Sequence, residues 1–503
     1  MTAAIPNARA NWLRPIYLWT GLLPLCALAA LLVAKPEGRL YSTLFAATVY
    51  MLVQWLLPKC RFRVEHYLSP INLALFLFLL KLVVVPILVM VDKPALGSLA
   101  ELPSHASMEG AMLVEVVAFA GFALALQFIP STTPRRSRIL DALDRIPPRF
   151  FPPLYFALGC VGLAAAFRSF GLFIEYFNNP IVVEQVRAAA EGVWPGLFGT
   201  IFRPFIAFSL VILWGRHVDR RKRSGLTVST LLLTVAVALG IAIANLTFAF
   251  NRAAFVFPIV SLAAVFLVRV RRISPAFIAA MIVIALPALV ALASFRNGRQ
   301  EVSEFLQDSK ARQTPSEDLS AQMQLYASGP QFLGFFLDYI HWGRSLSYGQ
   351  TLVASALSPV PSIGKSFRDK NGVVFYNRAI YGEDGIEDQI LPLQGELFLN
   401  FHIAGVAVGY FLIGLLLGKA QVWFESATTS TAAFCIHYAS LWSAMLIIWS
   451  MAVYSQILIY FFWPIYLLIG YGLLQDWAAQ SRARREVHAH NFPLFPARPG
   501  AAL

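Results

Sequence analysis

The chain has 503 residues, 58% of them hydrophobic and only 13% charged, with a net charge of +13 and a mean hydropathy of +0.64. An ordinary soluble domain carries about 25% charged residues, so this composition excludes that class and predicts a protein that crosses a membrane many times. The basic excess sits in short runs between apolar segments, the pattern of membrane topology, so the lipid bilayer is an expected partner and nucleic acid is not.

Apolar runs of about 17–25 residues are long enough to cross the hydrocarbon core as an α-helix. In chain order they fall near 16–34, 40–57, 71–91, 107–129, 151–173, 197–214, 226–244, 247–268, 274–294, 396–418, 431–453 and 455–474. This predicts an all-α polytopic membrane protein of about twelve transmembrane helices. The first run is too long for a signal-peptide core and lacks a small residue three before its end, so it reads as a retained helix. Basic connections, "PKCRFR" (58–63), "PRRSRILDALDRIPPR" (134–149), "RHVDRRKR" (216–223) and "RVRR" (269–272), follow the second, fourth, sixth and eighth helices, and "RARR" (482–485) follows the twelfth. All five then share one side, the cytoplasm, with both termini.

The opposite side receives 92–106, 174–196, a tight turn near 245–247 and one long segment. That segment carries "DYIHWGRSLSYG" and "VVFYNRAIYG", and its aromatics point to an ordered loop. The chain thus divides into 1–294 (helices one to nine), 295–395 (the loop), 396–475 (helices ten to twelve) and 476–503 (a basic cytoplasmic tail). No internal repeat is visible, and the spans lack the matched Gly/Pro-broken pair of inverted-repeat transporters. Cys26, Cys60, Cys160 and Cys435 show neither metal-ligand spacing nor a paired framework.

Asn251 and Arg252 open the eighth span in "FNRAAFVFPIV". An arginine in such a segment costs roughly 2.5–3.5 kcal/mol on insertion scales, which makes it a functional-site candidate; a snorkelling interface anchor is the alternative. The topology puts Arg252 on the extracytoplasmic side, where arginine is disfavoured, together with Arg187, Arg203, Arg296, Arg299, Arg344, Arg368 and Arg378. A guanidinium stays charged and grips phosphate oxygens in a bidentate fork. A shared phosphate or diphosphate at the outer membrane surface accounts for the accumulation. Arg203 in "FGTIFRPFIAF" lies deeper in its span, and Pro204 opens backbone groups beside it. Arg296 and Arg299 end the ninth span, where anchoring is an equal reading.

"TLVASALSPVPSIGKSFRDKNG" followed by "LPLQGELFLNFHIAGVAVGYFLIGLLLG" resembles the O-antigen and exopolysaccharide repeat-unit polymerases of the Wzy type. The resemblance rests on a proline-containing loop end, a Gly-Glu helix start (Gly395, Glu396) and an Asn-Phe-x-x-x-Gly helix (Asn400, Phe401, Gly405), with Arg252 on the family's polar-Arg helix entry. His402 stands where glycine is common. The resemblance implies a fold similar to the GT-C-like polymerase and ligase group, in the bacterial inner membrane with its active site facing the periplasm. Donor and acceptor would be undecaprenyl-diphosphate-linked oligosaccharides: an acceptor hydroxyl attacks the donor's anomeric carbon and polyprenyl diphosphate leaves. Fixed arginines would stabilise the leaving charge. A chain-length regulator protein is a further implied partner. The first extracytoplasmic loop, "KPEGR", is too short for an acidic metal site, so a metal-independent glycosyltransferase with no cofactor is expected.

Diphosphate binding falls to Arg252, Arg203, Arg296, Arg299, Asn251, Arg344 and Arg378. Glu396 and Asn400 are four apart and share a helix face, with Asn400 as an orienting residue. Glu396 either accepts the attacking hydroxyl's proton or holds an arginine; neighbouring arginines would make it a weak base, which favours orientation. His341 in "DYIHWG" suits a general base by its reference pKa, with a backbone-capped structural histidine as the alternative. His402 reads as packing. Gly364, Lys365 and Ser366 fail as a phosphate loop because Pro359 stands where its first glycine belongs, and "GEDGIED" (382–388) reads as a solvated acidic turn. Two other functions stay open: an O-antigen ligase passing finished polymer to lipid A-core, which needs a loop histidine, and a lipid-glycan flippase or other transporter, which would carry charges through the bundle and short loops on both sides.

Overall fold

The computed structural model describes residues 10–57, 68–97, 99, 101–129, 137–167, 193–221, 228–246, 252–270, 319–343, 346–360, 363–382 and 391–491. Among them every regular element is helical. The first half holds α1 (Ala10–Val33), α2 (Ser42–Leu56), α3 (Pro70–Val91), α4 (His105–Gln127), α5 (Arg138–Asp144), α6 (Phe151–Phe167), α7 (Val193–Phe202), α8 (Pro204–Arg220), α9 (Val228–Leu246) and α10 (Arg252–Arg269). The long loop contributes α11 (Leu319–Tyr326), α12 (Pro330–Tyr339), α13 (Gln350–Leu357), α14 (Lys365–Arg368) and α15 (Gly372–Tyr381). The chain then forms α16 (Leu393–Ser426), α17 (Ser430–Ile447, its last turn 3-10), α18 (Met451–Phe461) and α19 (Trp463–Asn491).

Local chemistry sets several of these boundaries. Ser69, Ser104, Ser137, Asn371, Thr429 and Ser450 each stand just before a helix and accept from an N–H three residues on, satisfying a donor that helix geometry leaves open. Pro86 lacks the N–H that Leu82 would bond four residues back, and the preceding turn, Leu80–Val84, widens to a π-helix.

Among the described residues, five helices can cross a membrane by length and composition, α3, α4, the stretch from Phe198 to Arg220, α16 and α17, or six if α18 and α19 count as one bent span. Five shorter apolar helices, in α1, α2, α6, α9 and α10, lie where further spans were expected. The expected span at 274–294 and the tight turn near 245–247 fall wholly or partly outside the described residues. Large apolar side chains are exposed along these helices, among them Leu32, Leu124, Leu213, Leu232, Leu239 and Leu412. In water such a surface would aggregate; in a bilayer it faces lipid.

Connections gather at two ends of the bundle. At one end Asp144 accepts from the N–H groups of Thr428 (2.7 Å) and Thr429 (3.1 Å), Asp219 accepts from Ser430, and Arg269 donates to the Ala427 carbonyl. At the other end the Arg39 carbonyl and the Tyr41 and Ser42 N–H groups meet His105 and Glu109, and Ser104 donates to Asp338 of the loop. The described parts of the basic connections around Asp144, Asp219 and Arg269 thus lie at the end opposite the loop. Helices α4 and α16 run parallel in contact, Gly121 against Ala407 and Gly414 against Phe122 and Ala125, where small residues let the backbones approach.

Several spans differ from their expected form. α16 is longer than the 396–418 run and is broken at 401–402; α18 and α19 meet at 57°, and α19 continues as helix through most of the expected basic tail. The α7–α8 span passes through Arg203 with helical backbone and counts as one span from Phe198 to Arg220. Broken spans are therefore present, and the 401–402 break uses neither glycine nor proline, so the spacing of those residues gave no sign of it.

Candidate functional site

The break in α16 is a local backbone event. Phe401 (φ −141°, ψ 17°) and His402 (φ 57°, ψ −157°) leave helical geometry and set the segment 393–400 apart. Stacking of the His402 ring on Phe398, 4.4 Å between centroids, accompanies the turn.

Glu396 and Asn400 occupy that segment, and both are fully buried. One Glu396 oxygen accepts from the Ser355 hydroxyl on α13, and the other from the Met451 N–H at 3.3 Å. The Gly372 N–H donates to Ser355 Oγ at 3.1 Å, and a Cβ on Gly372 would stand 2.7 Å from Glu396 Oε1, so only glycine fits there undisturbed. Asn400 Nδ2 donates to Thr351 Oγ1 (2.6 Å) and to the Glu396 carbonyl (2.7 Å), while its Oδ1 accepts from Gly349 N–H (2.8 Å). Gly372 and Met451 are the first residues of α15 and α18, and Gly349 precedes α13. Helix starts carry open N–H groups and the positive end of the helix dipole, so an acceptor among three of them is electrostatically favourable. The pair expected to share a face does so, and it holds the loop. Among the described residues, the Glu396 carboxylate is held by a hydroxyl and a backbone N–H.

The loop is pinned further out as well. Tyr376 on α15 donates to the Phe332 carbonyl on α12 at 3.1 Å, and burial pushes its phenol well above the usual range, so it stays protonated. Gln324 on α11 bridges Ala95 N–H (2.7 Å) and the Lys93 carbonyl (3.0 Å).

Arg203 stands between α7 and α8, 7% exposed, with Pro204 at the first helical position of α8, where a missing N–H costs nothing. Its guanidinium carbon lies 6.0 Å from the Phe461 ring centroid, and Phe461 packs on Trp442 midway along α17. This is a cation–π arrangement inside the bundle. The adjacent Tyr460 hydroxyl donates to the Pro359 carbonyl of the loop, and exposed Arg368 on α14 acts electrostatically on Tyr460. Two of the expected outer arginines therefore flank residues 460–461, one buried and one exposed.

The remaining candidates are more dispersed. His341 is exposed, with left-handed backbone (φ 47°), and the neighbouring Trp342 ring lies against Gly110 near the start of α4. Arg378 is exposed on α15. The backbone of Arg252 opens α10, while its side chain, like Arg187, Asn251, Arg296, Arg299 and Arg344 and nearly all of the acidic 382–388 stretch, lies outside the described residues.

Sequence reading passed over one polar centre. Lys81, in the π-turn of α3, and Glu115, midway along α4, form a buried ion pair at 2.7 Å. Each is a single charge in a long apolar run, and Pro86 five residues after Lys81 was the available signal.

No family model, curated protein or solved structure matches the chain. Among the described residues the fold is all helical and suited to a bilayer, with helices of the loop docked on one end of the bundle.

Proposed function

We propose that the protein is a membrane glycosyltransferase that polymerises polyprenyl-diphosphate-linked oligosaccharide repeat units at the capped end of its bundle. The observation that carries the reading is Arg203, a buried guanidinium over the Phe461 ring, one residue along from the loop contact at Tyr460–Pro359. A fixed cation in a water-poor pocket stabilises charge that develops on a departing diphosphate without reorganising at the moment of reaction. Arg368 supplies a second cation on the solvent side, with Arg252 and Arg378 as further donors. Glu396 and Asn400 position the loop, and in this reading exposed His341 accepts the proton from the attacking sugar hydroxyl. No cofactor or metal enters the reaction.

The test is reconstitution. Purified protein in nanodiscs, given a lipid-linked repeat unit, should yield a ladder of longer glycans and free polyprenyl diphosphate in the presence of EDTA. Absence of both products, with the protein folded, rejects the reading. A specific observation favours transport as the second reading: the Lys81–Glu115 pair and the broken spans place charge and irregular backbone inside the bundle. Movement of the lipid-linked unit across a liposome membrane without polymer would establish it.

A further inference from the structure

An ion pair inside an apolar bundle needs a reason, because two buried charges cost more to desolvate than an apolar pair of the same volume. Lys81 and Glu115 are each 3% exposed, and among the described residues their hydrogen-bond and ion-pair partners form one connected node. Lys81 Nζ donates to the Ile447 carbonyl at 3.2 Å as well as pairing with Glu115. Gln394 Nε2 donates to Glu115 Oε2 at 2.9 Å and to the same Ile447 carbonyl at 2.8 Å.

The location explains why these atoms are available. Ile447 closes the last turn of α17, where the chain leaves helical geometry before α18 and the end carbonyls have no helical donor. Gln394 is the second residue of α16, on the segment that the 401–402 break redirects, and the neighbouring Leu393 N–H donates to the Trp449 carbonyl at 3.1 Å. The π-turn at Leu80–Val84 alters the angular position of Lys81 relative to a regular helix. Two discontinuities, the start of α16 and the end of α17, thus meet at one charged pair contributed by two membrane helices.

We infer that Lys81, Glu115 and Gln394 form a positioning node that fixes the 393–400 segment on the bundle, and through Glu396 and Asn400 sets the pose of the loop helices α13 and α15. Its consequence for catalysis rests on the polymerase reading; its consequence for the loop does not. Glutamine is suited to the link because its amide supplies two donors, one for Glu115 and one for Ile447, whereas a carboxylate supplies none. The three residues act through the segment they hold, Gln394 being part of it and Lys81 and Glu115 bonded to it or to the adjoining Ile447 carbonyl.

The experiment is hydrogen exchange by mass spectrometry on the full chain in nanodiscs, comparing wild type with Gln394→Ala and with the apolar double variant Lys81→Met/Glu115→Leu. Gln394→Ala keeps the ion pair and cuts its link to the segment; the double variant removes both charges without stranding one. Both should speed exchange in peptides holding the Gly349, Gly372 and Met451 amides by about tenfold, the factor expected for losing roughly one net hydrogen bond. Peptides from the middle of α4 and from 405–426 should stay protected. Unchanged protection of the three amides in both variants overturns the inference, and so does a uniform rise across the whole bundle. A polymerisation assay on the same samples separates the two claims: wild type that makes no polymer defeats the proposed function, while the exchange result stands or falls alone. If wild type does polymerise, Gln394→Ala should lower turnover with acceptor KM changed as well, since the loop would no longer be held in one pose.

Discussion

Glu396 shows how a carboxylate inside an apolar bundle is made tolerable. Its acceptors are used by the Ser355 hydroxyl, which itself accepts from Gly372 N–H, and by the Met451 N–H at the start of α18, so removing it disturbs several buried groups at once. Glu396→Ala should therefore destabilise the protein by about 2–4 kcal/mol, within the range for breaking a buried polar network, and a lowered thermal midpoint in nanodiscs checks this. Gly372→Ala presses a methyl group onto the same carboxylate and should cost about 1–3 kcal/mol, the usual penalty of overpacking. Arg203 makes a different prediction. Arg203→Ala should leave the protein inserted and lower polymer formation by about 100-fold or more, the effect of removing one preorganised charge-stabilising donor. Arg203→Lys should retain part of the activity, because a point charge replaces a planar fork. Normal polymer from the alanine variant would remove Arg203 from the site.

At the scale of elements, the break in α16 decides where the loop docks. His402 takes φ 57° with ψ −157°, a region that essentially only glycine occupies without strain. His402→Gly should therefore be tolerated or stabilising despite the lost stacking on Phe398, whereas β-branched His402→Val should cost about 1–3 kcal/mol; thermal melts of the two variants measure the difference. The sequence spelled out the apolar helices because hydrocarbon length imposes a run of fixed size. It also spelled out the Glu396–Asn400 face, since four residues make one turn. It did not reveal the break, which carries neither proline nor glycine, nor the Lys81–Glu115 pair, whose members lie 34 positions apart on different helices. The aromatics of the loop pointed to order, but its five described helices and the hold of Glu396 and Asn400 on α13 depend on contacts between distant segments.

For the whole molecule, the segregation of its connections is the organising fact. Asp144, Asp219 and Arg269 clasp the α16–α17 turn at one end, while the loop helices cover the other, so the bundle has one polar clasp and one elaborated cap. An asymmetric bundle of this kind suits chemistry performed at one membrane face. The Lys81–Glu115 centre lies under the cap and shares Gln394 with the segment that holds it, which ties the interior to the outer layer. Mass spectrometry of lipid-linked and surface glycans in a strain lacking the protein, with periplasmic glycosidase used to test outward exposure of the lipid-linked pool, tests the polymerase reading most directly. Single repeat units accumulating in the outward-facing pool, with long chains lost, is the predicted result. Long polymer retained on the lipid carrier would instead identify a ligase, and single units inaccessible from outside would identify a flippase; either contradicts polymerisation at the capped end.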